Sequence, residues 1–253
     1  MDSQLISPDN SEEFLPGGDS RLEAFLTGIK NNSMNESGTS NPRYEVDSPP
    51  SDFNFDTMLP GRGFTMAGEE YIYLENQGSG NHMIIRHATI PNTMPQDQDQ
   101  VFTEWFSSLD AEVRAMVQPV DIPAPAPAVD DALITFIGAA GTDRWIPDNL
   151  TDFPAAAGDV TSVNPSGTPQ AFSLSLADVT RFSTPEGPFP NYRERNGKGW
   201  TSQPGAGWWW MRTPGVPSTA RWNVQGSIIL GTTLFGLMPN HPSNLRPAII
   251  IHQ

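Results

Sequence analysis

Proline limits what this chain can fold into more than any other feature of its sequence. It occurs 25 times among 253 residues, and glycine occurs a further 22 times. Because proline lacks an amide hydrogen and fixes its own φ, it interrupts helix interiors and the central strands of sheets. These breaks favour a loop-rich α+β fold with short elements over a helical bundle or a parallel sheet.

The first 60 residues are a polar segment that we interpret as an extended arm. Serine, asparagine, proline and acidic residues dominate it, as is typical of chain that buries no core of its own. Residues 19–30 interrupt it with capping-box spacing and then helical spacing of apolar residues. They predict an amphipathic assembly helix whose apolar face consists of Leu22, Phe25, Leu26 and Ile29. That face would pack either on a neighbouring subunit or on the chain's own domain, and both alternatives stay open.

Residues 61–253 predict a single compact domain. Two strands, at about 70–75 and 82–90, flank Gly-Ser-Gly-Asn at 78–81, which suits a hairpin turn. A wide apolar stripe predicts one helix over residues 98–118. Ser175 and Asp178 have the spacing of a helix N-cap and its third position. Further strands are predicted at about 132–137, 171–176, 208–211, 220–224, 227–230 and 248–252, which gives a mixed, mainly antiparallel sheet with long loops.

The charge of the chain restricts its partners and its location. A formal net charge of −15 repels phosphate backbones and anionic lipid surfaces, so we expect no nucleic-acid partner. No apolar run approaches the roughly 20 residues of a membrane span, and the first residues lack the basic and apolar regions of a signal peptide. We therefore expect a soluble protein made in a cytoplasm, for which any surface role would have to be reached as part of a particle released by lysis.

Metal and cofactor sites are not predicted. The chain has no cysteine, which removes disulfides and thiolate ligands. The histidines do not have zinc-ligand spacing; they are His82, His87, His241 and His252. Calcium would require the loops that carry Asp130, Asp131 and Asp143 to converge, and solvated loop carboxylates are the simpler interpretation.

No catalytic residue is predicted either. A glycosidase needs two carboxyl groups about 5–10 Å apart, and the sequence alone does not bring Glu186 and Glu194 together. Neither a nucleophile elbow nor a phosphate-binding glycine loop is present. We therefore interpret the chain as a binding or structural protein and not as an enzyme.

Aromatic and arginine side chains are concentrated near the end of the chain. Five of the seven tryptophans lie between Trp200 and Trp222. Exposed aromatic and arginine side chains are the usual anchors of binding surfaces, whereas a single tryptophan is more often part of a core. The candidate ligand-binding set consists of Tyr192, Arg193, Arg195, Trp200, Trp208, Arg221 and Trp222.

Four sequence blocks carry a family resemblance. They read A-F-S-L-S-L-A-D-V-T-R-F at 171–182, W-W-M-R-T-P-G at 209–215, A-R-W-N-V-Q-G-S-I at 220–228 and N-L-R-P-A-I-I-I at 244–251. In this order they resemble a domain of unassigned function found in bacterial surface proteins and phage virion proteins. The resemblance implies a C-type-lectin-like fold over roughly residues 61–253. Formylglycine-generating enzymes share that fold, but their chemistry needs cysteines, so it is excluded here.

The residues of these motifs also have a structural interpretation. Adjacent tryptophans in a strand point to opposite faces of the sheet, so one would be core and the other would lie at the surface or under a loop. The two motif arginines are expected to hold loops through carbonyl or carboxylate forks, with ligand contact as the alternative. The structural set is Trp209, Trp210, Arg212, Pro214, Gly215, Arg246 and Pro247.

Three functions remain in competition. The first is a homo-oligomeric phage virion protein of a tail, fibre, collar or head decoration. Its arm would attach to other virion proteins, and its lectin-like domain would bind a host glycan or surface protein. The second is a purely structural cement subunit without a host ligand. The third is a bacterial adhesin module.

Overall fold

The computed structural model describes residues 43–120, 122, 127–137, 146–184, 186–190, 192–196, 208–216, 221–225, 228–230 and 243–253. The proposed assembly helix at about 19–30, with Leu22, Phe25, Leu26 and Ile29, lies outside the described residues. The strands are β1 (Arg43–Ser48), β2 (Gly63–Met66), β3 (Glu69–Gly78), β4 (Asn81–Arg86), β5 (Ile90–Thr93), β6 (Pro119–Val120), β7 (Phe136–Ile137), β8 (Ile146–Pro147), β9 (Thr168–Pro169), β10 (Trp209–Pro214), β11 (Arg221–Gln225), β12 (Ile228–Leu230), β13 (Ser243–Leu245) and β14 (Ala248–His252). The α-helices are α1 (Gln98–Ser108), α2 (Ala111–Met116), α3 (Pro154–Ala157), α4 (Leu176–Phe182) and α5 (Tyr192–Asn196).

The first sheet has the strand order β1-β2-β3-β4-β14. All its neighbours are antiparallel except β1 and β2, which run parallel. Its central hairpin turns through Ser79 and Gly80, with φ of 53° and 73°. Two positive φ values in a two-residue loop match the right-handed twist of the flanking strands, so the predicted turn is confirmed.

The domain begins earlier than the sequence predicts. Residues 43–60 were assigned to the arm, but Arg43–Ser48 pairs with β2, and the Phe55 side chain is completely buried. The boundary at residue 60 is therefore wrong. A polar segment can still supply one backbone edge and two aromatic anchors, Phe53 and Phe55, and its average composition does not reveal them.

The second sheet has the strand order β12-β11-β10-β13-β5. Its pairs are antiparallel apart from β10 and β13. The described chain is therefore a mixed α+β fold with mostly antiparallel sheets. The predicted strand at 171–176 is replaced by a single bridge, in which Phe172 and Ala248 exchange two 2.9 Å backbone hydrogen bonds. Of the strand predicted at 132–137, Phe136–Ile137 alone is extended and paired.

The single helix predicted over 98–118 is two helices. The first ends at Ser108, and Asp110 caps the second by accepting a 2.7 Å hydrogen bond from the Glu112 amide. The apolar stripe continues across the break, since Leu109 and Val113 are both buried. An N-cap interrupts the helix here without disturbing its buried face.

Both faces of the first sheet are covered, so the core has two halves. Alternate residues of a strand point to opposite faces, and on β3 Ile72 and Leu74 enter one cluster while Tyr71 and Tyr73 enter the other. Helix α4 packs on the first face and helices α1 and α2 on the second. Among the described helices, none is long and apolar enough to cross a membrane.

Candidate functional site

Strand β10 carries the tryptophan pair of the W-W-M-R-T-P-G block. Trp209 packs in the first core cluster and Trp210 in the second. The two side chains therefore point to opposite faces, as predicted. Both are buried, however, so of the two places expected for the second tryptophan, at the surface or under a loop, the surface is excluded. The indole N–H of Trp209 donates a 3.0 Å hydrogen bond to the Arg195 carbonyl, which fixes helix α5 against the sheet.

The Arg212 guanidinium forms a fork on the Asp159 carboxylate. Its Nε lies 3.1 Å and 3.2 Å from the two carboxylate oxygens, and its Nη2 lies 2.6 Å from Oδ1. The same guanidinium donates to the backbone carbonyls of Asp159 and Ser173, at 3.0 Å each. Arg212 thus holds two loop segments against β10 with one planar group.

A buried network of charges and hydroxyls extends from this fork. Asp178, fully buried at the start of α4, accepts from the Thr161 hydroxyl at 2.7 Å and lies 3.4 Å from Arg212. Arg181 then joins Asp178 at 3.1 Å to Glu75 of β3 at 2.7 Å. The network therefore joins the second sheet, α4 and the first sheet through fixed opposite charges.

Ser175 and Asp178 form the capping box of α4. The Ser175 hydroxyl accepts from the Asp178 amide at 2.9 Å, and the Ser175 amide donates to the Asp178 carboxylate at 3.2 Å. The predicted cap is confirmed. The Ser175 hydroxyl also donates to the Asp159 carbonyl at 2.5 Å, so its hydrogen is committed to the fold and not to a catalytic base.

Burial raises the pKa of Asp159, because desolvation disfavours its charged form. The hydrogen bonds and positive charge of Arg212 act in the opposite direction, and the nearby Asp178 carboxylate adds to the rise. Arg212 therefore favours the ionised form of a carboxyl group whose burial favours the neutral form.

Arg246 of the R-P-A block is a second anchor. This fully buried side chain donates from Nε to the Arg86 carbonyl at 2.9 Å and from Nη1 to the Arg195 carbonyl at 2.9 Å. Its guanidinium carbon also lies 5.5 Å from the centre of the Phe189 ring. Arg246 binds carbonyls where Arg212 binds a carboxylate, so both forms of the predicted fork occur.

The predicted ligand-binding residues do not form one cluster. Trp222 and Arg195 are fully buried, so their assignment as surface anchors is wrong. Trp222 points into the first core cluster, and its indole N–H donates to the Val129 carbonyl at 3.2 Å. Alternate residues of a strand point to opposite faces of the sheet, and the position of Trp222 in β11 directs its side chain into the core.

Two members of that set are half-buried, Trp208 and Arg221. In the β10–β11 pair, Trp209 lies opposite Val224 and Pro214 lies opposite Arg221, so Trp208 and Arg221 are at opposite ends of the pair. Tyr192 and Arg193 lie on helix α5 with their side chains outside the described part, and Trp200 lies outside it altogether.

No group of three or more histidine, aspartate or glutamate residues within the described ranges could hold a metal ion. Asp130 instead caps the turn Asp131–Leu133 by accepting from the Ala132 amide at 3.0 Å. His82 pairs with the Tyr73 hydroxyl and His87 with Glu70. Asp143 and His241 are outside the described residues.

Sequence reasoning missed the centre of the buried network. The spacing of Ser175 and Asp178 reveals half of it, because a capping box is local. Asp159 and Thr161 carry no such signal, since their partner Arg212 lies 53 and 51 residues further along the chain.

Comparisons with protein-family models, with curated proteins and with solved structures find no match for this chain.

Proposed function

We propose that this chain is a non-enzymatic subunit of a phage particle, with a C-type-lectin-like domain that binds a glycan of the host surface. Residues before 43 would attach the subunit to other virion proteins. The observation that carries the proposal is that both motif arginines are engaged in hydrogen bonds within the fold. Arg212 binds two loop segments to β10, and Arg246 binds helix α5 to the first sheet. These contacts hold the elements from which the long connections leave.

The buried charges favour binding over catalysis. A catalytic acid or base needs a proton that it can exchange with a substrate. Here the Asp159 carboxylate accepts hydrogen bonds from Arg212. The Asp178 carboxylate accepts from Arg181, from the Thr161 hydroxyl and from the Ser175 amide. Their role is to hold α4 and the loops together, and this supports a binding or structural domain.

The ligand surface is proposed at the end of β10 where Trp208 lies. Tryptophan presents a large, flat apolar face with one polar edge, and such side chains commonly anchor interfaces. Trp208 is half-buried and so keeps part of its side chain in solvent, and Trp200 precedes the same strand in the sequence. Trp222 no longer belongs to this surface because it is buried.

Binding can be tested with the purified full-length chain on a glycan array and on intact host cells. We expect binding that falls at least tenfold with Trp208→Ala and with Trp200→Ala, an assumed loss of about 1.4 kcal/mol or more. Leu59→Ala is the control, because Leu59 is a large apolar side chain that is 60% exposed. It lies between β1 and β2 of the first sheet, away from the proposed surface. Periodate treatment of the cells separates a glycan from a protein receptor, and a complete lack of binding would favour the cement alternative.

Attachment to the particle can be tested by deletion of residues 1–42. The shortened chain should remain folded but be lost from assembled particles. The structure changes the design of this experiment, because deletion to residue 60 would also remove β1 and Phe55. If the subunit that lacks residues 1–42 is still incorporated normally into particles, attachment through the arm is wrong.

A further inference from the structure

A strap of chain crosses one face of the first sheet. We define it as residues 49–60, which connect β1 to β2. Phe55 is its buried anchor, with ring centres 5.6 Å from Phe64 and 5.7 Å from His82. Phe53 adds a second ring 5.1 Å from Phe64. The strap therefore covers an aromatic face that includes a histidine.

Gln253 fastens the strap from the other end of the described chain. Its side-chain oxygen accepts from the Phe55 amide at 2.9 Å, and its side-chain nitrogen donates to the Phe53 carbonyl at 2.6 Å. Asn76 of β3 adds a 3.2 Å hydrogen bond to the Asp56 carboxylate. Apart from the packing of Phe55 and Phe53, these few hydrogen bonds hold the strap, and none of them belongs to the strand pairing of the first sheet. Opening of the strap therefore costs the burial of Phe55 but leaves the sheet intact.

His82 lies beneath the strap and is completely buried. Its Nδ1 is 3.0 Å from the Tyr73 hydroxyl, and its Nε2 is 3.6 Å from a carboxylate oxygen of Asp56. That second distance exceeds a hydrogen bond, and Nε2 has no hydrogen-bond partner. Neutral histidine satisfies this geometry by accepting the Tyr73 proton at Nδ1.

We propose that the strap is a pH-sensitive latch, which uptake of a proton by His82 releases. Protonation turns Nδ1 into a donor, so the Tyr73 hydroxyl must reverse its hydrogen bond. It also places a positive charge under Phe55, where water is excluded. Opening of the strap removes Phe55 from the imidazole and returns the charge to solvent.

The groups around His82 determine the direction of the effect. Burial lowers the pKa of His82, the Asp56 carboxylate of the strap opposes that change, and His252 of β14 adds to it. Tyr73 and Glu75 of β3 complete the ionisable surroundings, and burial keeps the Tyr73 pKa far above neutral pH. Because the closed state binds the proton less well than the open state, acid favours opening.

The ordinary pKa of histidine sets an upper limit on this effect. With a pKa of 6.5 in the open state, linkage increases the opening equilibrium by up to about 30-fold at about pH 5. At about pH 7.5 the same factor is close to one. The loss of protection should be confined to the strap. Its midpoint should lie at a pH near or below the ordinary pKa of histidine.

Hydrogen exchange of the full chain tests the latch. The Phe55 amide donates to the Gln253 side chain in the closed strap, so its exchange reports detachment, whereas the amides of Phe53 and Met58 bond to carbonyls within the strap. After correction for the intrinsic exchange rate, we expect protection of the Phe55 amide to fall up to about 30-fold between about pH 7.5 and pH 5. Protection of β3 and β4 should change much less.

Variants separate the latch from general acid sensitivity. His82→Asn retains a partner for Tyr73 but cannot gain a charge, so it should remove the pH response. Asp56→Asn, at a side chain that is 70% exposed, removes the group that stabilises protonated His82 in the closed state and should increase the response. His252→Gln should retain it.

An unchanged response in His82→Asn would overturn the latch, and so would equal loss of protection across the whole first sheet. If His82→Asn does not fold, the Asp56→Asn variant still decides, because a smaller response than that of the unsubstituted chain contradicts the proposal.

Discussion

Replacement of Arg212 by methionine is the most direct test of the buried network. Methionine retains much of the apolar stem but removes six hydrogen bonds to Asp159, Thr161 and Ser173 and leaves the Asp159 carboxylate without its fork. Arg212 and Asp159 side chains are 11% and 8% exposed, so solvent replaces little of the lost interaction. Removal of one partner of a buried pair costs about 3–5 kcal/mol, and we expect Arg212→Met to lower the free energy of unfolding by that amount near neutral pH.

The loss should depend on pH in a defined direction. Without Arg212, the pKa of Asp159 rises further, because burial and Asp178 then act without opposition. Folded Asp159 would bind a proton at a pH where the unfolded chain has already released it. The variant therefore gains stability as the pH falls through the folded-state pKa of Asp159, and its deficit should shrink from about pH 7.5 to about pH 5.5.

Urea denaturation at several pH values, followed by tryptophan fluorescence, measures both effects. Arg114→Met is the matched control, because Arg114 donates to the carbonyls of Ser107 and Leu109, and its deficit should not vary with pH. The double variant Arg212→Met with Asp159→Leu should be more stable than Arg212→Met alone by at least about 1 kcal/mol, because the buried Asp159 carboxylate that lost its partner is also removed. A deficit below about 1 kcal/mol, or one that is constant with pH, would refute the role given to Arg212.

Three further substitutions test local features, each by the free energy of unfolding in urea. Gly80→Ala should cost more than Gly68→Ala: both glycines have φ near +80°, but a Cβ at Gly80 would lie 2.5 Å from the Gln253 carbonyl whereas that at Gly68 meets nothing within 4 Å. Equal losses would show that the contact with the end of β14 does not matter. Ser175→Ala removes the α4 cap and should cost about 1–2 kcal/mol; a Ser175→Thr control should retain most of that stability. Phe55→Ala should cost about 3–5 kcal/mol, and a loss close to zero would return residues 49–60 to the arm.

Local features of the fold were predictable because their determinants are adjacent in the sequence. The Ser79-Gly80 turn has two positive φ values, and the Gly-Ser-Gly-Asn sequence at 78–81 predicts a turn of this kind. The capping box of α4 lies within four residues. The strand Ala248–His252 has the predicted bounds, because a continuous apolar run of this length, bounded by a proline, has few alternatives.

Features that depend on distant partners were not predictable. Phe55 belongs to the domain because its amide meets the Gln253 side chain, 198 residues away. Phe172 pairs with Ala248 through a single bridge and not as part of a strand. The spacing of apolar residues does not distinguish a bridge from a strand. The forks of Arg212 and Arg246 were expected as a type of interaction, but nothing in the sequence specifies that one meets a carboxylate and the other meets carbonyls.

The concentration of tryptophan near the end of the chain has a structural explanation that follows from its proline content. A chain interrupted so often has many loops and short helices whose carbonyls lack a partner within a helix or sheet, and buried carbonyls require donors. The indoles of Trp209 and Trp222 donate to the carbonyls of Arg195 and Val129, and Arg246 donates to carbonyls in the same way. Tryptophan and arginine combine a large packing surface with donors and carry no acceptor that would compete. The blocks that contain Trp209, Arg212 and Arg246 therefore hold together a loop-rich fold, and the proposed ligand surface needs side chains outside that role, of which Trp208 is the described example.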